Sequence, residues 1–326
     1  MTTAMTPKPT PTTPNPTHER DRRPATSLWR RLRRDWWIYL FLLPTIAGYG
    51  AYTIYPLLAS WWFAFLDWPG FANAGTFIGF GNFARLLGDD LFWNAFWNSI
   101  VFLVIAVPLR VGLALGLAVV LNRKQTPFKG FFRTLFFLPV VTTGAIVGVV
   151  FTLLLDASGP VSLSLVWAGL IDSPANFAAD AGTSLYAGIA VWVWKWLGIT
   201  LIYWLAALQT IPQGVHEAAM IDGAGAWAEF RHVTMPLLVP FLVIITLIDT
   251  VAAFNVFDLM QTLTGGGPSF SSEVIEIFIF RTAFQATVPQ LGYASAAAVL
   301  FGVLTVAFAI AQALGMRWAR ARMGTS

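Results

Sequence analysis

Apolar residues run along this chain in six long blocks, roughly 36–65, 96–121, 132–155, 184–209, 237–262 and 292–315, separated by shorter polar or Gly/Pro-containing segments. About 20 helical residues cross a hydrocarbon core, so each block predicts one membrane-spanning helix. Within the blocks polar residues mark no helical stripe; Ile100 to Val107 is an uninterrupted apolar run. A soluble bundle needs a polar face on most of its helices. The pattern therefore predicts an all-α, polytopic membrane protein of six transmembrane helices. Residues 1–27, rich in Thr and Pro and without apolar period, predict a solvated, disordered tail. The expected organisation is a basic Pro/Thr-rich tail over 1–35, a membrane domain over 36–316 and a short basic tail over 317–326. The first apolar block begins at Trp36, too late and too long for a secretory leader, and no cleaved leader is expected.

Composition sharpens this picture. Hydrophobic residues make up 57% of the 326 and charged residues 11%, against about 25% charged in soluble domains. That excludes an average water-soluble globule, a disordered chain and a nucleic-acid module. Many of the 15 Trp stand near block ends (Trp36, Trp37, Trp61, Trp62, Trp93, Trp97), as interfacial anchors do. With no cysteine, disulfides, thiolate metal sites and cysteine nucleophiles are out.

The net charge of +4 is positional. Arg20, Arg22, Arg23, Arg30, Arg31, Arg33 and Arg34 precede the first block; Arg123, Lys124, Lys129 and Arg133 join the second to the third; Arg317, Arg320 and Arg322 follow the last. The alternate connections carry only Arg85 and Arg281 as cations. Cytoplasmic connections concentrate Lys and Arg, so both termini are expected in the cytoplasm. The connection over 210–236 departs from the pattern, with Arg231 as its one fixed cation against Glu217, Asp222 and Glu229. A loop that ignores the sorting rule points to a partner that shapes it.

That loop reads Ile-Pro-Gln-Gly-Val-His-Glu-Ala-Ala-Met-Ile-Asp-Gly-Ala-Gly-Ala-Trp-Ala-Glu-Phe-Arg-His-Val-Thr-Met-Pro from Ile211 to Pro236. Pro212 suits a first helical turn and Gly223 suits the left-handed position that ends a helix. Two short helices joined by a sharp bend are expected, the second ending before Pro236. Small residues at Ala218, Ala219, Gly223 and Ala224 would admit another surface closely. Glu217 would give that surface a charge-assisted hydrogen bond, worth about 1.5–3 kcal/mol.

The stretch resembles the EAA loop of permease subunits in binding-protein-dependent ABC importers: Glu217-Ala218-Ala219, Asp222-Gly223-Ala224, Phe230 and Pro236 fall at the family spacings, with Met235 in place of the usual Leu. Trp194-Lys195-Trp196, Leu205 to Pro212, Phe257 to Pro268 and Phe77 to Leu87 resemble the sugar-importing branch, the relatives of maltose, lactose and glycerol-phosphate permeases. The resemblance runs from about residue 36 to the end. It implies the type I importer permease fold and a loop that docks on a nucleotide-binding subunit. Glu217 would be the polar contact, Gly223 the bend, and Ala218, Ala219 and Ala224 the close-packing surface, with Asp222, Phe230 and Pro236 completing the motif. It further implies a second permease subunit, an ATPase dimer holding ATP and Mg, an extracytoplasmic sugar-binding protein, and residence in a bacterial or archaeal cytoplasmic membrane.

The chain carries no catalytic signature of its own. Lys8, Lys124, Lys129 and Lys195 follow Pro, Arg, Phe and Trp, whereas a phosphate-binding loop needs Gly-Lys before Ser or Thr. Met220 stands where His216-Glu217 would need a second zinc ligand. The Gly79, Gly81, Ala84 spacing has no buried strand before it and reads as a turn. No cofactor, metal or catalytic residue is expected in this chain. A secondary transporter would want inverted repeats and intramembrane ion ligands, and a membrane enzyme would want converging carboxylates or His; neither pattern is evident. An importer of a non-sugar solute is the nearer alternative.

Arg110, Lys195 and Asp249 fall near the middle of blocks two, four and five. A charge at that depth costs at least about 2.5–3.5 kcal/mol and normally faces a bundle interior or a watery path. Helical spacing puts Trp192, Lys195, Trp196 and Ile199 on one face and Asp249, Ala252, Ala253 and Val256 on another. By resemblance these faces line the sugar path, so Trp192, Lys195, Trp196 and Asp249, with Ala253 and Asn255, are the candidate substrate residues. The alternatives are an internal Lys195–Asp249 ion pair, an Arg110 contact with a partner helix, and an Asn255 and Asp258 that brace the loop around Gly265 to Pro268.

Overall fold

The computed structural model describes residues 36–70, 75–123 and 126–323. The tail over 1–35 with its seven arginines, Lys124 and residues 324–326 lie outside the described residues, as do the side chains of Arg317, Arg320 and Arg322. The chain divides into two units between Leu57 and Leu58. In the first, helix α1 (Trp36–Tyr49) runs into a π-helical turn, Gly50–Ile54, and then into α2 (Tyr55–Phe63), whose later residues belong to the second unit.

After α2, a two-residue ribbon pairs β1 (Leu66–Asp67) with β2 (Thr76–Phe77), Leu66 opposite Phe77 and Asp67 opposite Thr76. Helix α3 (Gly81–Leu87) follows. Asn82 explains why this segment is compact: its buried amide donates to the carbonyls of Ala64 at 3.0 Å and Leu66 at 2.9 Å, tying α3 to the end of α2. The Gly79–Gly81 spacing is a turn leading into α3, with Gly79 at φ +58°.

Two long helices dominate the core: α4 (Asp90–Asn122) and α8 (Ser184–Leu208). The carboxylate of Asp89 caps α4, accepting from Leu91 N at 2.9 Å and Phe92 N at 3.3 Å. Phe102, Ala106, Arg110, Ala114 and Ala118 recur every fourth residue and are all buried. That i+4 ridge, mostly alanine, lets α8 approach closely. Trp192 meets Phe102 edge-on at 5.6 Å, and Trp204 donates its indole N–H to Val111 O at 3.1 Å. Large apolar side chains such as Leu109, Leu113, Ile202 and Ile248 are exposed while Arg110, Lys195 and Asp249 are buried, the arrangement a lipid solvent favours.

Between them lie α5 (Lys129–Val141), α6 (Gly144–Leu154) and α7 (Pro160–Trp167). The third apolar block is therefore not one straight span: α5 and α6 meet at 101°. The cause is local. Thr142 and Thr143 are both extended, Thr142 Oγ1 donates to Pro139 O at 2.7 Å, and Thr143 caps α6 by accepting from Ile146 N at 3.4 Å. Where α5 crosses α8, Gly198 is closed over by backbone: a Cβ there would lie 2.7 Å from the carbonyl carbon of Phe136 and from the Cα of Phe137. Gly198→Val is expected to destabilise by about 1–3 kcal/mol through overpacking, read as a lowered melting temperature of the purified chain.

The remaining helices are α9 (Gln213–Ile221), α10 (Ala226–Glu229), α11 (Met235–Ala253), α12 (Phe257–Leu263), α13 (Ile275–Phe280) and α14 (Leu291–Met323). A π-helical turn, Phe230–Thr234, joins α10 to α11, so helix continues from Ala226 to Ala253. This corrects the expected stop before Pro236. Proline has no N–H to give, and the wider turn, closed by Met235 N to Phe230 O, carries the helix through. The fifth block also ends earlier than expected. Phe254 to Val256 break it, and Val256 is not on the helix face that carries Asp249. Among the described residues four helical runs, α4, α8, Ala226–Ala253 and Leu291–Gly315, are long and apolar enough to cross a membrane, and the α5–α6 pair makes a fifth if taken as one span.

Candidate functional site

The loop between α8 and α11 has the bend that its sequence requires. Gly223 sits at φ +77°, where a Cβ would be strained. Its N–H donates to Met220 O at 3.1 Å, and Ala224 N donates to Ala219 O at 3.0 Å. These two bonds form the paired closure of a helix C-terminus known as the Schellman motif. The outgoing arm returns past the incoming one, and His216 Nδ1 meets Glu229 Oε1 at 2.5 Å, clasping α9 to α10. Glu217, Ala218, Asp222 and Gly223 are exposed, Ala224 and Phe230 half-buried, and Pro236 exposed. Gln213 Nε2 donates to Glu217 Oε1 at 2.8 Å.

Ala219 corrects the expected close-packing surface: at 7% exposure it is turned inward. Its place outside is taken by residues the sequence reading passed over. Met220, Ile221 and Trp227 are 61%, 85% and 70% exposed, and Trp227 stacks on Phe230 with centroids 5.7 Å apart. The signal was available, since three large apolar side chains in a short polar loop demand a cover.

The three buried charges do not pair as the sequence suggested. Asp249 is held by Arg110, not Lys195: Arg110 Nε donates to Asp249 Oδ2 at 3.0 Å, and Nη2 pairs with Oδ1. Thr200 Oγ1 adds a donor at 3.1 Å, so α4, α8 and α11 meet at one carboxylate. The guanidinium lies over the Trp192 ring at 4.2 Å. Trp192 and Asp249 are 1% and 0% exposed, and Ala253 is also buried. The expected common face of Trp192 and Lys195 therefore splits, because Arg110 claims Trp192.

Lys195 turns to the α5–α6 bend. Its ammonium donates to Thr142 O at 2.9 Å and lies 3.9 Å from the centroid of half-buried Trp196. A carbonyl freed by a broken helix needs such a donor. Beside it, both arms of the bend and the exposed Trp194 line an apolar cavity of about 500 Å³, in which Trp194 and Phe151 stand 5.1 Å apart. Trp194, not itself singled out as a substrate residue, is the aromatic that reaches this opening.

Asn255 lies in the second break, exposed, with its amide donating to Val251 O at 3.0 Å. Asp258, one turn on, is also exposed and lies against the bend, since a Cβ at Gly144 would come within 3.2 Å of Asp258 Oδ2. The two breaks thus meet, with Lys195, Thr142, Asn255 and Asp258 around them. The Gly265–Pro268 loop is braced by Ser272, whose Oγ donates to Gly267 O at 2.8 Å; just after it, Asn94 and Asn98 donate to Phe270 O at 2.7 Å and Glu273 O at 3.0 Å, and Arg281 forks onto Glu273 at 2.6 and 3.1 Å. Burial pushes the Glu273 carboxyl up, and Arg281 opposes that rise.

Residues 109–320 match the family described as the binding-protein-dependent transport system inner membrane component. The chain belongs to that family. It is 31% identical over 259 residues to the lactose transport system permease protein LacF of Rhizobium radiobacter, covering 79% of this chain and 86% of that one. It is 30% identical to the trehalose/maltose transport system permease protein MalF of Thermococcus litoralis, covering 83% and 90%. Among solved structures, a chain of a bacterial alginate ABC transporter, in complex with an alginate pentasaccharide-bound periplasmic protein, superposes with a TM-score of 0.73 at 26% identity, over 87% of this chain and 95% of that one. The permease is a multi-pass inner-membrane protein, and members of this family are transport components without catalysis of their own.

Proposed function

We propose that this permease moves a sugar, a mono- or oligosaccharide or a derivative, into the cytoplasm as one half of a permease pair. An ATPase dimer that holds ATP and Mg drives it, and an extracytoplasmic binding protein supplies it. Both termini and the Glu217 loop lie on the cytoplasmic side. The observation that carries the reading is the loop: an exposed carboxylate, a glycine-locked bend and an uncovered Met220, Ile221 and Trp227, continuous with a helix that ends at the second break. Closure of the ATPase pair moves the loop, and α11 carries the motion to Asn255. The family membership and the sugar-transporting relatives support the substrate class. Lys195, Trp196 and Asn255 remain the path residues, joined by Trp194 and Asp258. Aromatic faces stack on sugar rings while amides and carboxylates meet hydroxyls.

The test is uptake in proteoliposomes containing this chain with its partner permease, ATPase and binding protein, using labelled lactose and maltotriose. Uptake is expected to require ATP. Asn255→Ala is expected to reduce it about 3–10-fold, the worth of one hydrogen bond. Uptake that persists without ATP, or uptake of peptide or phosphate in place of either sugar, would overturn the reading.

A further inference from the structure

The second break is held from outside its own helix. Glu276, on α13, sends its carboxylate to the start of α12, where Oε2 accepts from Val256 N at 2.9 Å and Phe257 N–H adds a second donor. These are N–H groups that the first turn of α12 leaves without intrahelical partners. They lie between Asn255 and Asp258 in sequence. We propose that Glu276 is a positioning residue: its carboxylate pins the backbone at Val256 and so fixes the Asn255 and Asp258 face of the break.

The inference rests on the sugar-path reading for its consequence in transport, but not for the pin itself. The surroundings make the pin sensitive to protons. Ser99 and Phe102 of α4, Ala253 and Phe254 at the end of α11, and Phe301 of α14 line a small cavity together with Glu276, and none of them carries a charge. From α12, Asp258 presses on it with like charge. Arg281, which follows α13, is committed to Glu273, and Tyr293 of α14 donates to Asp89 at 2.5 Å. Burial pushes the Glu276 carboxyl up to about 7, more than its two backbone donors lower it, and Asp258 adds to the rise. Carboxylates shifted by burial cluster at functional sites. Above neutrality the anion grips two N–H groups; below it, the neutral acid grips them weakly, because bonds to a charged acceptor are roughly twice as strong.

Hydrogen exchange of the segment around Val256 and Phe257, in the full chain in nanodiscs, tests the pin. The wild type is compared with Glu276→Gln at each pH, so that the intrinsic pH dependence of exchange cancels. Wild-type protection is expected to exceed that of the variant about tenfold at pH 8.5 and to converge with it at pH 5.5, with a midpoint near 7. A ratio that stays flat across this range overturns the proposal. In the assembled importer, half-saturation for the transported sugar is expected to be several-fold lower in the wild type than in the variant at pH 8.5, and equal at pH 5.5. If protection titrates but half-saturation does not, the positioning role in transport is overturned. If Asn255→Ala leaves uptake unchanged, it is the sugar-path reading that has failed, while the exchange result still decides the pin.

Discussion

Arg110→Ala is expected to lower the stability of the purified permease by about 3–5 kcal/mol, because Asp249 is then left buried with only Thr200 to satisfy it. The converse change, Asp249→Ala, strands the guanidinium, whose Nη1 is already buried without a hydrogen-bond partner. The double variant Arg110→Met with Asp249→Leu is expected to recover most of the loss, since similar apolar volumes replace a charge pair that desolvation penalises. Thermal unfolding in detergent measures all three. A single variant as stable as the wild type would contradict the buried pair. The pairing also changes what Asp249→Ala does in the assembled importer. A carboxylate lining the sugar path would alter substrate-stimulated ATP hydrolysis more than basal hydrolysis. One that ties α4, α8 and α11 together lowers both alike.

Glu217→Lys is expected to remove the ATPase from the purified complex, lowering its retention at least tenfold, while the two permeases remain together. The carboxylate is exposed, with Gln213 as a polar neighbour, so the reversal leaves the fold intact. It replaces an attractive charged contact, worth about 1.5–3 kcal/mol, by a repulsive one, and 1.4 kcal/mol is a factor of ten. Gel filtration with quantified subunit ratios reads the outcome. ATPase retained at the wild-type ratio would show that the loop docks elsewhere. Trp227→Ala, which removes exposed apolar surface and no charge, is expected to weaken the same association without a salt dependence.

The features legible in the sequence are those set by residues close together along it. Gly223 was readable because a helix end in the left-handed region selects glycine, and the donors that close it are its neighbours. The apolar blocks were readable because length and hydropathy are local sums. The bend at Thr142 was not, because threonine and glycine pass as apolar within a block and proline is tolerated in membrane helices. The partner of Asp249 was not, because Arg110 lies 139 residues away and either of the two cations at membrane depth, Arg110 or Lys195, satisfies the same arithmetic. Lys195 appeared a natural mate until the bend presented a free carbonyl beside it. Ala219 illustrates the smallest such failure: a short amphipathic helix has to turn one side inward, and two adjacent alanines, Ala218 and Ala219, do not say which.

The unbroken helix from Ala226 to Ala253 has a mechanical corollary. At 1.5 Å per residue, Asp249 stands roughly 35 Å from the loop end and roughly 8 Å from Phe254. Clamped to two neighbouring helices, Asp249 is the natural fulcrum, and the arms on either side differ roughly fourfold. In the proposed mechanism, a swing of several ångströms at the loop end would be geared down to about one ångström at Asn255, enough to make or break a hydrogen bond to a hydroxyl group.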